Sequence, residues 1–173
     1  MWCWLFLMIL RSPCLTLFSY SPFFRSYLAR QPRWERGEDF KHGTGHGVGY
    51  CLRVHEAPNC FRWIRLPDRN EDAVLEEGMI TSNEPGYYVE GGYGIRHENM
   101  IVCKKAEKNE YGQFMCFENL TMVPFDLDAI DPDQMTVKEK QLLNDYHKEV
   151  YEKIAPYLTE EERAWLKEAT REI

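Results

Sequence analysis

The sequence predicts an α+β protein in which antiparallel strands are followed by helices. Three observations carry this expectation. Between residues 46 and 123, short runs rich in β-branched and aromatic residues are broken by Gly, Pro and Asn. Gly91-Gly92 separates two such runs, as in a tight hairpin. The last third holds two Thr-x-x-Glu capping boxes, each ahead of helical periodicity.

Taken in order, residues 46–54 read as a strand. Residues 57–72, with Pro58, Pro67 and Asn70, read as a loop. Residues 74–83 form a turn at Gly78 leading into a second strand. Residues 87–89 and 95–103 flank the glycine pair as hairpin arms, and residues 114–123 are strand-like. After the acidic turn "DLDAIDPDQMT", Thr136 and Glu139 cap a helix whose Leu143, Tyr146, Val150 and Ile154 share one face. Pro156 ends or kinks it. Thr159 and Glu162 cap a second helix, whose Trp165 and Leu166 are expected in the core.

Composition narrows the function. With 44% hydrophobic and 14% aromatic residues, 173 residues can bury a real core. The net charge is −7, and residues 1–33 carry four Arg and no acid, which leaves −11 on the remainder. So acidic a body excludes nucleic acid as a partner, because phosphates require Lys and Arg clusters. The six cysteines include no C-x-x-C pair, so they are read as reduced packing residues, in keeping with a cytoplasmic protein. Residues 1–27 are apolar and foreign in texture to the domain behind them, as an aberrant start would be. The alternative is membrane association through residues 1–24, against which Arg11 and Pro13 interrupt any spanning helix.

The chemistry concentrates in "KHGTGHGVGYCLRVHE". Gly43, Gly45, Gly47 and Gly49 alternate, so an extended chain would present one bare face, with His42, Thr44, His46 and Val48 on the other. A bare face admits a substrate or another backbone, and it is expected here to be an approach surface for substrate. His55 has the other parity and faces the site, if at all, from a strand end. Downstream, a three-residue loop at residues 90–92 with Gly92 left-handed pairs residues whose numbers add to 182. Glu84 and Glu98 satisfy that sum, which places their Cα atoms about 5 Å apart. Like charges so placed repel unless a cation lies between them. The competing reading is two solvated glutamates on an edge hairpin. One imidazole and two carboxylates suit Mn²⁺, Co²⁺ or Zn²⁺, and two such ions activate water for hydrolysis.

"HGTGHGVGYCLRVHE", "EEGMITSNEPGYY" and "GYGIRHEN" closely resemble the M24 family of pita-bread metallopeptidases and, within it, the Xaa-Pro aminopeptidase (aminopeptidase P) branch. The resemblance runs from about Leu28 to the C-terminus, and the tail from Phe114 resembles the C-terminal extension of the multi-domain cytosolic members. It implies a fold: the C-terminal half of a pita-bread domain, a curved antiparallel sheet with helices, followed by a short helical extension. It implies the partition 1–27 foreign segment, 28–110 partial catalytic domain, 111–173 extension. It implies roles: His46, Glu84 and Glu98 as metal ligands, Glu84 also as general base, His42 and His55 as substrate-orienting histidines, and Arg96 supporting the ligands. It implies two Mn²⁺ ions, with Zn²⁺ or Co²⁺ as alternatives, and a peptide substrate with proline at the second position. The protein partner it leaves open is a homodimer or a missing N-terminal half.

Two departures qualify the resemblance. The family's two aspartate ligands lie well upstream of the histidine, whereas residues 1–38 hold no Asp and Asp39 is the first. His97 stands where an aliphatic residue is usual. The ligand count therefore implies weakened metal binding and a truncated chain with weak or no activity alone. The alternative functions are a non-catalytic pita-bread interaction module and a membrane-anchored remnant.

Overall fold

A computed structural model describes residues 14–15, 30–31, 33–51, 53–62, 68 and 73–173. The expectations for residues 1–27 and the membrane reading of 1–24 therefore lie outside the described residues, apart from one two-residue strand. The chain divides into two compact units, Pro13–Leu120 and a second containing Thr121–Ile173.

The first unit is built of antiparallel strands: β1 Cys14–Leu15, β2 Gly45–His46, β3 Cys60–Phe61, β4 Ile80–Asn83, β5 Gly86–Tyr88, β6 Gly94–Arg96, β7 Asn99–Asn109 and β8 Gly112–Asn119. One four-stranded sheet runs β1-β8-β7-β4, with two-stranded ladders β2-β3 and β5-β6. The strongest element is the β7–β8 hairpin. Its turn closes where Asn109 Oδ1 accepts the Tyr111 N–H at 3.0 Å and Gly112 takes a positive φ of 131°. Period-two burial along β7 sends Asn99, Ile101 and Cys103 inward. There Leu75, Cys103 and Met115 form a small core with Phe61, Met79 and Phe117 against it.

The expected register holds. β4 pairs β7 from Ile80↔Val102 to Asn83↔Asn99, and β5 pairs β6 from Gly86↔Arg96 to Tyr88↔Gly94. Every pair adds to 182. The left-handed residue is Gly91 at φ 70°, not Gly92. The Gly92 N–H donates to Val89 O at 3.0 Å, so the turn spans residues 89–92 and its positive φ falls at the third place. Three strand expectations also shift. Residues 46–54 are extended only at their start, residues 57–72 contribute β3, and β8 ends at Asn119.

In the second unit, Thr136 caps α1 Val137–Ile154 and Thr159 caps α2 Glu160–Ala169, both through complete capping boxes. A 3-10 turn at Ala155–Tyr157 takes up Pro156. Leu143, Tyr146 and Val150 lie in one cluster with Phe125, Leu127, Ile130, Met135, Ala155 and Leu166, and Ile154 packs against it. Trp165, expected in the core, is 64% exposed. The ten-residue helix turns about 100° per residue, so seating Leu166 inward carries its neighbour off that face. No helix among the described residues is long and apolar enough to cross a membrane.

α1 also holds the incoming chain. The Tyr146 hydroxyl reaches the carbonyls of Val123 at 2.8 Å and Thr121 at 3.0 Å. The fully buried His147 accepts the Phe125 N–H on Nε2 at 3.0 Å. Burial, and secondarily the charge of Arg171, hold the His147 imidazole down at about 4, against 6.5 when exposed. Above pH 6.5 the ring is neutral in both states, so its full contribution to stability is present. Between pH 6.5 and 4 only the unfolded chain takes up the proton, and stability is lost as pH falls. At about 1.4 kcal/mol per unit, the loss amounts to roughly 2–3 kcal/mol. Urea denaturation at pH 7 and pH 5 is expected to show this slope in the wild type and a flatter one in His147→Gln.

Candidate metal and active site

β2 is stitched between β3 and β4, and this fixes His46. Thr44 and Gly47 N–H groups donate to Phe61 O and Asn59 O, each at 2.8 Å. On the other side, Gly47 bridges Thr81 and the Glu84 N–H donates to Thr44 O at 2.8 Å. Two hydroxyls complete the seam: Thr81 Oγ1 donates to His46 O at 2.9 Å, and the His46 N–H donates to Ser82 Oγ at 3.0 Å.

Such close packing explains the glycines. A Cβ on Gly45 would collide with Ser82 O and the Phe61 ring, and one on Gly47 with Glu56 O and Asn59 Oδ1. A Cβ on Gly49 would meet the Glu56 carboxylate. The bare face is therefore filled by the chain's own backbone and side chains, which corrects its expected use as a substrate approach surface. Only Gly43 has ordinary clearance, 3.6 Å to its nearest neighbours.

After Gly47 the chain reverses rather than continuing as a strand. Gly49 N–H donates to Arg53 O at 2.8 Å and Glu56 N–H returns to Gly47 O at 2.9 Å, with Cys51 at φ 54°. This turn, not a strand end, brings the exposed His55 ring within 4.2 Å of the His46 ring, centroid to centroid.

His46 Nδ1 lies 3.0 Å from Gly47 O, and Nε2 lies 2.9 Å from Glu84 Oε1. With Nδ1–H donated to the carbonyl, the Nε2 lone pair faces a carboxylate oxygen. Two acceptors so close require a proton or a cation between them. Glu84 is only 6% exposed. Its Oε1 also accepts the Ser82 hydroxyl at 2.8 Å, and its Oε2 pairs with Arg96 Nη1 at 2.8 Å. His42 sits beside them, with Nε2 3.2 Å from Gly86 O, Nδ1 2.7 Å from Gly43 O, and its ring edge-on to Tyr88 at 5.2 Å.

The structure thus brings His42, His46, His55, Glu84 and Arg96 into one neighbourhood. Glu98 lies across the interrupted ladder from Glu84 by register, but its side chain is exposed. Asp39 is committed elsewhere: the Arg30 guanidinium that grips it holds its carboxyl below the usual carboxylate range. Burial holds the His97 imidazole below its ordinary value, so that ring is uncharged at neutral pH. Sequence reasoning missed Ser82, although its place two residues before Glu84, at the end of β4, puts both on one face while the chain stays extended.

Imidazole and carboxylate donors at His46 and Glu84 are chemically suited to a divalent ion. Their number is not sufficient for a pair of ions. Among the described residues no group of three or more His, Cys, Asp or Glu side chains is gathered as a cage.

The pattern of "Metallopeptidase family M24" matches residues 21–105, and that of "C-terminal region of peptidase_M24" matches residues 113–173. The chain belongs to metallopeptidase family M24, and its mixed α+β architecture is a piece of that family's pita-bread fold. It is 44% identical over 150 residues to a protein of Coprinopsis cinerea and 43% identical over 150 residues to one of Pyrenophora teres f. teres, each named "Probable Xaa-Pro aminopeptidase P". These matches cover 84% and 83% of this chain but 24% and 22% of the relatives, so the chain spans about a quarter of their length. A solved structure, the X-prolyl aminopeptidase of Caenorhabditis elegans, described as a cytosolic enzyme with a di-nuclear active site, superposes with a TM-score of 0.81 at 30% identity. That superposition covers 99% of this chain and 28% of the other.

The glycine packing gives a direct test. Gly45→Ala is expected to destabilise the chain by about 1–3 kcal/mol or more through overpacking. Gly43→Ala should change stability by less than about 1 kcal/mol. Paired urea denaturation curves measure the contrast.

Proposed function

We propose that this chain is the His46- and Glu84-bearing portion of an Xaa-Pro aminopeptidase, a dinuclear metal-dependent hydrolase that removes the N-terminal residue preceding proline. One observation carries the reading most directly. A buried carboxylate faces the lone-pair side of an imidazole whose other nitrogen is tied to a backbone carbonyl, the arrangement that orients a histidine for a cation. The relatives' names and the two family matches support it.

In this reading His46, Glu84 and Glu98 are the chain's metal ligands, and the ions are Mn²⁺, or alternatively Zn²⁺ or Co²⁺. When bound, such ions polarise the scissile carbonyl and activate water. Glu84 is the general base, taking the proton of the attacking water on its carboxylate. His42 and His55 flank the peptide and orient it, and Arg96 sets the charge at Glu84. Because the family's aspartate ligands have no counterpart in residues 1–38, activity requires those donors from another segment. We assign residues 28–110 to the catalytic part and 111–173 to its extension, and place the protein in the cytoplasm.

The test joins binding to catalysis. The chain is titrated with Mn²⁺ by electron paramagnetic resonance, and assayed on an Xaa-Pro peptide and an Xaa-Ala control. The assay is run alone and with the aspartate-bearing upstream segment of a relative. Release of the first residue is expected only from the Xaa-Pro peptide, only with Mn²⁺, and chiefly in the complemented sample. His46→Ala or Glu98→Gln should lower it by at least about 100-fold, since loss of mere supporting groups around a metal already costs 10–100-fold. Release indifferent to metal, or Mn²⁺ binding indifferent to His46, Glu84 and Glu98, overturns the proposal.

A further inference from the structure

Arg96 occupies the place where a cation is needed. Two groups donate to Glu84 within the chain: the Ser82 hydroxyl at Oε1, 2.8 Å, and the Arg96 guanidinium at Oε2, 2.8 Å, the latter carrying the counter-charge. With only 8% of the side chain exposed, the carboxylate already carries a full counter-charge at Oε2, which an incoming ion at the His46 edge must offset. The partners differ in how firmly they are held. The His46 side chain is 15% exposed and tied through Nδ1 to Gly47 O, whereas that of Arg96 is 41% exposed.

The hairpin sets an aromatic ring beside the guanidinium. Arg96 lies opposite Gly86, which presents no side chain. A Cβ there would press on Tyr88, whose hydroxyl and ring carbons lie 2.6–2.8 Å away. The Arg96 guanidinium carbon is 5.8 Å from that ring's centroid, within the range of a cation–π contact. The arginine side chain, 41% exposed, thus has solvent and the Tyr88 ring beside it as alternatives to Oε2.

We propose that Arg96 is a competing counter-ion for Glu84. Its guanidinium neutralises the carboxylate in the metal-free chain, and a divalent cation is bound at Glu84 only by exchange for it. The proposal rests on the metal-site reading above and reverses the supporting role that the family resemblance implies for this arginine. A supporting arginine strengthens metal binding; a competing one weakens it.

Two measurements test it, neither of them enzymatic. The first titrates Mn²⁺ into the wild type, Arg96→Gln and Arg96→Lys by calorimetry. Arg96→Gln is expected to bind roughly three- to tenfold tighter, the range for releasing one ion pair of modest net strength. Arg96→Lys, which keeps the charge but not the planar fork, should fall between, and it serves alone if the Gln variant does not fold. The second is a double-mutant cycle of Arg96→Gln and Glu84→Gln in urea without metal, where the two changes should be non-additive. Binding to Arg96→Gln that is unchanged or weaker overturns the exchange and leaves the metal reading intact. No Mn²⁺ binding to any of the three chains overturns the metal reading and the exchange together. Additivity in the cycle shows that the Arg96–Glu84 pair is absent and also overturns the proposal.

Discussion

A buried carboxylate is the constraint on which the first unit turns. Glu84 is nearly sealed from solvent, and an uncompensated charge there would cost several kcal/mol. The fold answers with a hydroxyl and a guanidinium from β4 and β6, and sets an imidazole from β2 against the same carboxylate. Each of those strands is short, between two and four residues. What holds them together is less the ladder than this one charge and the seam of backbone bonds around it. The glycines serve the same end: only residues without a Cβ at 45 and 47 let β2 approach closely enough for the imidazole of His46 to meet the carboxylate.

The second unit solves a different problem by simpler means. Its capping boxes give partners to two N–H groups at the start of each helix, and an apolar face buries Leu143 and Val150 completely. Two polar side chains on that face, Tyr146 and His147, are tolerated because each bonds the backbone of residues 121–125. Burial removes water from His147, and its neutral ring supplies the acceptor that the Phe125 N–H lacks. The same burial makes this contact sensitive to acid.

Much of this was legible from residue order, and the exceptions have physical causes. The hairpin register followed from loop length alone, because a period-two ladder leaves no freedom once the turn is set. The register even survives the break at Pro85, resuming with the same sum on both sides. The helices announced themselves through caps and periodicity. What escaped was tertiary. The reversal at residues 49–53 depends on Cys51 accepting a positive φ, which no propensity favours. The glycine face could admit either substrate or backbone, and only packing decides between them. Trp165 followed the general rule that large aromatics are buried, but a ten-residue helix with one seated leucine has no second inward face. At the site, the histidines and glutamates were found by type and spacing, whereas Ser82 and the Arg96 contact needed coordinates.

The uneven preparation of the two glutamates follows from where the ladder breaks. Glu84 directly follows β4, and its own N–H is bonded to Thr44 O at 2.8 Å. Its carboxylate is therefore placed by the same seam that places His46. Glu98 sits just before β7, opposite the interruption that Pro85 imposes, and its side chain is exposed. Pro85 lacks an N–H and cannot complete the ladder at that point, although its carbonyl still accepts the His97 N–H at 3.2 Å. The His46–Glu84 pair is thus rigid and pre-formed, whereas Glu98, in the proposed role of a ligand, would have to be ordered at the entropic cost of fixing a glutamate side chain. On the proposed metal reading, a cation would meet the His46–Glu84 edge first, where the carboxylate is already paired with Arg96. If the metal reading and the exchange proposed above both hold, displacement of the guanidinium would precede recruitment of Glu98, because Glu98 would gain a counter-charge only once a divalent ion stood at Glu84.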